Sequence, residues 1–190
     1  MRPRRAARGW AAWLTGLPAS GKSTIARLVA ERLAKLGIRV QVLDSDELRR
    51  VLTPKPTYSQ EERDWFYKTM AWIGWLLVEN GVNVLFAATA NRRAYREHAR
   101  RLVGPERFME IYVRCPLEVC MRRDRKGIYR LALEGKAKTV PGIQAPYEEP
   151  LEPDLVVDTG RMGPEECAEL VLKAILKRFY GREASSMTSL

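Results

Sequence analysis

At 190 residues, with 46% hydrophobic and 29% charged side chains, the chain suits one globular domain with a sizeable core. No apolar run approaches the roughly 20 residues of a membrane-spanning helix, and no signal-type apolar segment with a cleavage site follows the basic start Met1 to Arg8, so a cytoplasmic protein is expected. A net charge of +10 calls for anionic partners. Polyanionic small molecules are expected, because no aromatic-interleaved basic stretch or nucleic-acid module accompanies the charge.

In chain order, Trp10 to Leu14 carries no charge and predicts a central parallel strand buried on both faces. Gly16-Leu17-Pro18-Ala19-Ser20-Gly21-Lys22-Ser23-Thr24 follows, then a helical pattern to Leu36 stopped by Gly37. Strand, glycine-bounded loop, Gly-Lys-Ser and helix together make a P-loop. The glycines let backbone N–H groups turn inward onto phosphate oxygens, and the helix adds its positive dipole end. Gly16, Ser20, Gly21, Lys22, Ser23 and Thr24 are therefore expected to cradle ATP or GTP. Lys22 would reach the β- and γ-phosphates, and Ser23 would ligate Mg²⁺.

Ile38 to Leu43 predicts a second strand ending at Asp44-Ser45-Asp46, where open α/β sheets bind ligands. Helix capping accounts for one of these acids but not readily for both. A Pro-containing loop, Thr53 to Thr57, precedes the capping box Ser59-Gln60-Glu61-Glu62, whose Ser59 and Glu62 are expected to satisfy each other's backbone donors. The helix it opens reaches Asn80 with more apolar surface than one core-facing stripe needs, so either a deeply buried helix or a partner subunit is implied. Val82 to Ala88 and Phe108 to Val113 read as strands, with a basic helix, Arg92 to Val103, between them. The single histidine, His98, stands there among Arg96, Glu97, Arg100 and Arg101, the pattern of a solvated face. A helix begins at Pro116, a short helix runs from Ile128 to Gly135, and a Pro-rich segment, Lys136 to Pro153, follows; the lid is expected at about residues 123–153. Leu155 to Val157 closes the sheet, Pro164 to Tyr180 is the last helix, and 182–190 is a polar tail expected to fray. Cys115, Cys120 and Cys167 have neither disulfide parity nor metal spacing. The pattern predicts an α/β P-loop NTPase: a mostly parallel, doubly wound sheet of about five strands with flanking helices, in a single domain over 1–181.

Several linked stretches resemble the adenylylsulfate (APS) kinases over nearly the whole chain: the P-loop, Leu43-Asp44-x-Asp46-x-x-Arg49, Pro116-Leu117-Glu118-Val119-Cys120, Arg123-Asp124-x-Lys126-Gly127-x-Tyr129, and Gly142-Ile143-x-x-Pro146-Tyr147-Glu148-x-Pro150, then Asp158-Thr159. The resemblance implies ATP and Mg²⁺ as cofactors and transfer of the γ-phosphoryl group to the 3′-hydroxyl of adenosine 5′-phosphosulfate. It implies Asp46 as the base on the acceptor hydroxyl, Lys22 as its catalytic cation, and Asp44 with Ser23 at the metal. Arg49, Tyr58, Arg63, Arg93, Lys126 and Ile143 would hold the acceptor, and Arg123 the nucleotide. A homodimer is implied as well, with neither nucleic acid nor membrane as a partner.

The chain departs from the family pattern at Glu47, at Phe66 (an asparagine in the family), at Val140-Pro141 (Phe-Thr in the family), and at Ala90, where a serine is expected. These fall on the acceptor side. A kinase of the same build with another anionic acceptor therefore stays open, as does an NTP switch bound to nucleic acid.

Overall fold

The computed structural model describes residues 8–181; the basic stretch 1–7 and the expected frayed tail 182–190 lie outside the described residues. Five strands, β1 (Ala11–Thr15), β2 (Val40–Asp44), β3 (Asn83–Ala87), β4 (Phe108–Arg114) and β5 (Leu155–Asp158), form one parallel sheet in the order β2-β3-β1-β4-β5. The uncharged β1 is central, pairing Ala11 with both Val84 and Phe108, and every one of its residues is buried.

Alternation along β1 sends its side chains to two cores. Ala12 and Leu14 pack with α1 (Lys22–Lys35) and with α7 at the C-terminal end of the chain (Pro164–Tyr180). Ala11 and Trp13 face α3 (Gln60–Glu79) and α4 (Arg93–Val103), with Trp13 stacked on Phe86 at 4.4 Å. Helix α3 lies close on the sheet at Gly74, where a Cβ would stand 2.0 Å from the Phe86 ring. Helix α7 begins with Pro164, carries Glu165 and Glu166 in its first turn, and stops at the left-handed Gly181, each matched to the helix dipole and its termini.

Between β2 and α3 runs α2 (Ser45–Leu52). Beyond β4, α5 (Leu117–Arg122) and α6 (Ile128–Leu133) lead into an irregular segment that returns to β5. Cys115, Cys120, Tyr129, Ala132 and Val140 make a third, small apolar cluster under it. All three cysteines are free and buried.

Two local expectations are corrected. Ser59 caps α3 by accepting from the Glu62 N–H at 3.2 Å, but the Glu62 carboxylate does not return to Ser59. It accepts from Thr57 N–H and Oγ1 and from Arg49 instead, because the charged guanidinium is the stronger donor. The face of α4 around His98 is not uniformly solvated either. Arg96 is 1% exposed and ion-paired to Glu110 at 2.5 Å. It shares the inward stripe of Ala99 and Val103, three and seven residues on, while Glu97 and Arg101 stay exposed.

On α3, Trp65, Trp72 and Leu76 are 49%, 50% and 43% exposed. The surplus apolar surface thus lies outside, not in a deep core.

Candidate active site

The carboxyl edge of the sheet opens into one cleft of ≈ 1580 Å³ that runs from the P-loop, past α2 and the start of α3, to the lid segment. One drug-sized ligand fills about 300–1,000 Å³, so two nucleotides have room. Nine of its lining residues are Lys or Arg and two, Asp46 and Asp124, are acidic. That imbalance suits polyanions on both sides of a reaction.

At the donor end, Gly21 (φ 99°) is the left-handed N-cap of α1, and Ser20 to Thr24 line the cleft. Gly16 is needed for close approach: a Cβ there would stand 2.4 Å from the Val113 carbonyl. Two side chains absent from the sequence-based site hold this loop from behind. Thr159 donates to Ser20 O at 3.0 Å, and Tyr129 donates to Pro18 O at 3.0 Å. Both lie within stretches that carry the family resemblance, which was the available signal.

Lys22 donates to Gly16 O (3.0 Å) and Leu17 O (2.7 Å). Burial lowers its pKa to about 8, against the pull of nearby negative charge. The Cys120 thiol is itself pushed up to about 12 by burial, so it is neutral where Lys22 titrates. Asp46 and Asp44 are then the charges that hold the ammonium protonated.

Asp44 accepts from Asp46 N–H at 2.8 Å and is 4% exposed. It is the N-cap of α2, and that cap aims Asp46 into the cleft. Asp46 in turn pairs with Lys126 of the lid, 80 residues on in sequence. Ser23 and Asp46 offer hard oxygen donors that fit a Mg²⁺ shared with a nucleotide; Asp44 has one oxygen engaged by its cap. No group of three or more His, Cys, Asp or Glu able to hold an ion stands among the described residues, so the donor set fits a phosphate-bridged ion and not an all-protein cage.

At the far end, Arg49 and Arg63 line the cleft and are 8% and 7% exposed. Arg49 is bound to Glu62 at 2.8 Å and lies over Phe66 (3.8 Å) and Tyr58 (4.9 Å). Arg63 donates to Tyr58 O (3.0 Å) and Thr139 O (2.7 Å). Arg123, Tyr58, Val140 and Pro141 also line the cleft. Two expected acceptor residues are placed elsewhere. Arg93 donates to Glu149 O, its N–H to the Glu148 carboxylate, and it pins the returning segment at the surface. Ile143 packs in the cluster beneath the lid, so neither side chain forms the cleft wall.

Three comparisons agree with this geometry. The adenylylsulphate kinase family matches residues 8–158. A probable adenylyl-sulfate kinase of Aeropyrum pernix is 45% identical over 80% of this chain and 84% of its own length. An adenylyl-sulfate kinase of a Synechococcus strain is 39% identical over 91% and 98%. The solved APS kinase of Mycobacterium tuberculosis, in complex with AMPPNP and APS, superposes with a TM-score of 0.83 at 34% identity, covering 88% of this chain and 98% of that one. By fold, P-loop geometry and sequence, the chain belongs to the adenylylsulphate kinase family of P-loop kinases.

Proposed function

We propose that this kinase transfers the γ-phosphoryl group of ATP to the 3′-hydroxyl of adenosine 5′-phosphosulfate. The observation that carries the reading is the meeting of Asp46 and the P-loop on one cation-lined cleft. The P-loop amides and Lys22 hold the β- and γ-phosphates and neutralise charge as it moves to the leaving ADP. Mg²⁺, held by Ser23 and by water around Asp46 and Asp44, would supply further neutralisation of the phosphate oxygens. Asp46 orients the acceptor hydroxyl and takes its proton as the new O–P bond forms and the β–γ bridging bond breaks. Arg49 and Arg63 face the acceptor's anionic groups, with Tyr58 as one wall for its base, while Arg123 and Lys126 cover the phosphates.

A second reading, another anionic acceptor, is favoured by one feature. Phe66 and Val140-Pro141 replace family residues on the acceptor side, and Phe66 is occupied beneath Arg49. An acceptor panel at fixed ATP separates the two. Turnover of APS is expected, and turnover of another nucleotide conjugate with APS untouched rejects the first reading.

The exposed Trp65, Trp72 and Leu76 face of α3 supports a homodimer, for which light scattering should give twice the chain mass. A cytoplasmic site of action fits a kinase in which no helix among the described residues is long and apolar enough to cross a membrane.

A further inference from the structure

The stretch Pro146-Tyr147-Glu148 contributes no residue to the cleft wall, although it carries part of the family resemblance. Its contacts converge instead on the roots of the site. Glu148 N–H donates to Asn91 O at 2.8 Å, and Asn91 Nδ2 donates to Pro146 O at 3.1 Å. The buried Arg96 donates to Glu148 O (2.7 Å) and to Ala90 O (2.5 Å), holding Ala90 at a left-handed φ of 41° that a non-glycine residue rarely adopts. The Tyr147 hydroxyl stands 3.0 Å from Thr15 Oγ1, and Thr15 Oγ1 is 2.7 Å from Thr89 O.

Proton counting fixes the direction of this chain. Thr15 has one hydroxyl proton, and the Thr89 carbonyl is an acceptor only, so that proton goes to Thr89. Tyr147 must then donate to Thr15. The relay Tyr147 → Thr15 → Thr89 runs one way, and each bond polarises the next. Thr15 is fully buried and directly precedes Gly16 of the P-loop, and Thr89 lines the cleft. Tyr147 belongs to the irregular segment that runs from α6 to β5, 132 residues from Thr15 in sequence.

We propose that Tyr147 is a positioning residue: by donating to Thr15 it sets the lid segment in register with the root of the phosphate loop and with the Thr89 wall. Donor phosphate, acceptor wall and lid must keep fixed relative positions for in-line transfer, and misplacement of about 1 Å is enough to slow it. This rests on the P-loop kinase reading but not on which acceptor is used.

The test uses Tyr147→Phe, Thr15→Val, their combination, and Thr15→Ser in the full chain. Readouts are melting temperature, kcat and KM for ATP and acceptor, and trypsin cleavage of the lid at its Lys and Arg residues with and without AMPPNP. Tyr147→Phe should fold and melt within a few degrees of the wild type, and keep its KM for ATP. Its kcat should fall about tenfold, the size of one lost hydrogen bond, and AMPPNP should protect its lid less. The double variant should be no worse than the poorer single variant, and Thr15→Ser should behave as wild type. Wild-type kinetics and protection in Tyr147→Phe would overturn the proposal, as would losses that multiply in the double variant. Should Tyr147→Phe fail to fold, Thr15→Val decides by the same readouts, with a loss supporting the proposal and no loss overturning it. A wild-type chain that ignores APS rejects the acceptor reading alone, since the trypsin readout needs only the nucleotide.

Discussion

The Arg49 guanidinium lies 3.8 Å over the Phe66 ring and is tied at one edge to Glu62 at 2.8 Å. A planar cation fixed on a ring face and by one carboxylate holds a set orientation on the cleft wall that Arg49 helps to line. Phe66 thus acts as a platform where the family pattern has asparagine. Phe66→Leu keeps apolar bulk but removes the π face, worth about 0.5–2 kcal/mol of Arg49 placement. The acceptor KM should rise about two- to thirtyfold at unchanged ATP KM. Steady-state kinetics with both substrates varied checks this, and an unchanged acceptor KM would show that Arg49 does not address the acceptor.

Asp46→Asn should lower kcat by about 10²–10⁴-fold, the range for loss of a positioned base. ATP affinity by calorimetry should fall far less than kcat, since the loop amides and the Lys22 side chain stay in place. The partner substitution Lys126→Met should leave the melting temperature unchanged. Both members of that ion pair are more than half exposed, and such pairs contribute about 0–1 kcal/mol.

Lys22 gives the protein a pH signature of definite sign. Its folded pKa of about 8 lies below the ordinary 10.5, so between these values the unfolded chain binds more protons. Its contribution to stability therefore rises as pH increases from about 8 to about 10.5. Nucleotide binding runs the other way, because the phosphates require the ammonium form. Calorimetry in buffers of different ionisation enthalpy should record proton uptake on ATP binding near pH 8.5 and much less near pH 6.5. Uptake that is equal at both would assign the proton to another group.

Removing one member of the buried Arg96–Glu110 pair strands the other. Glu110→Ala should lower unfolding free energy by about 3–5 kcal/mol. Glu165→Ala should cost about 0–1 kcal/mol, because that carboxylate, although bound to Arg32, is 69% exposed. Urea midpoints of the two variants measure the contrast, and equal midpoints would contradict the burial argument.

The sequence by itself determined whatever is written in local pattern. The P-loop needs Gly16, Gly21, Lys22 and Ser23 between a strand and a helix, and all of these lie within eight residues. Helix α7 was readable end to end, because within a helix Pro164 is tolerated only in the first turn and the apolar period of 3.6 does not break before Gly181. That Asp44 and Asp46 stand at a ligand-binding strand end, with capping able to account for only one of them, was legible in the sequence; that Asp44 is the cap was decided by the structure. The tertiary structure decided which charges turn inward. Arg93 and Arg96 lie in the same basic helix, yet Arg93 holds Glu148 and Glu149 at the surface while Arg96 is buried on Glu110. Glu62 turned from Ser59 to Arg49, and Phe66 became a floor for that arginine. The pairings of Lys126 with Asp46 and Tyr147 with Thr15 join residues 80 and 132 positions apart. No local period specifies such pairs. They exist because the parallel sheet brings its strand ends to one edge, where burial makes an unpaired polar group costly and so selects the partner that each group finds.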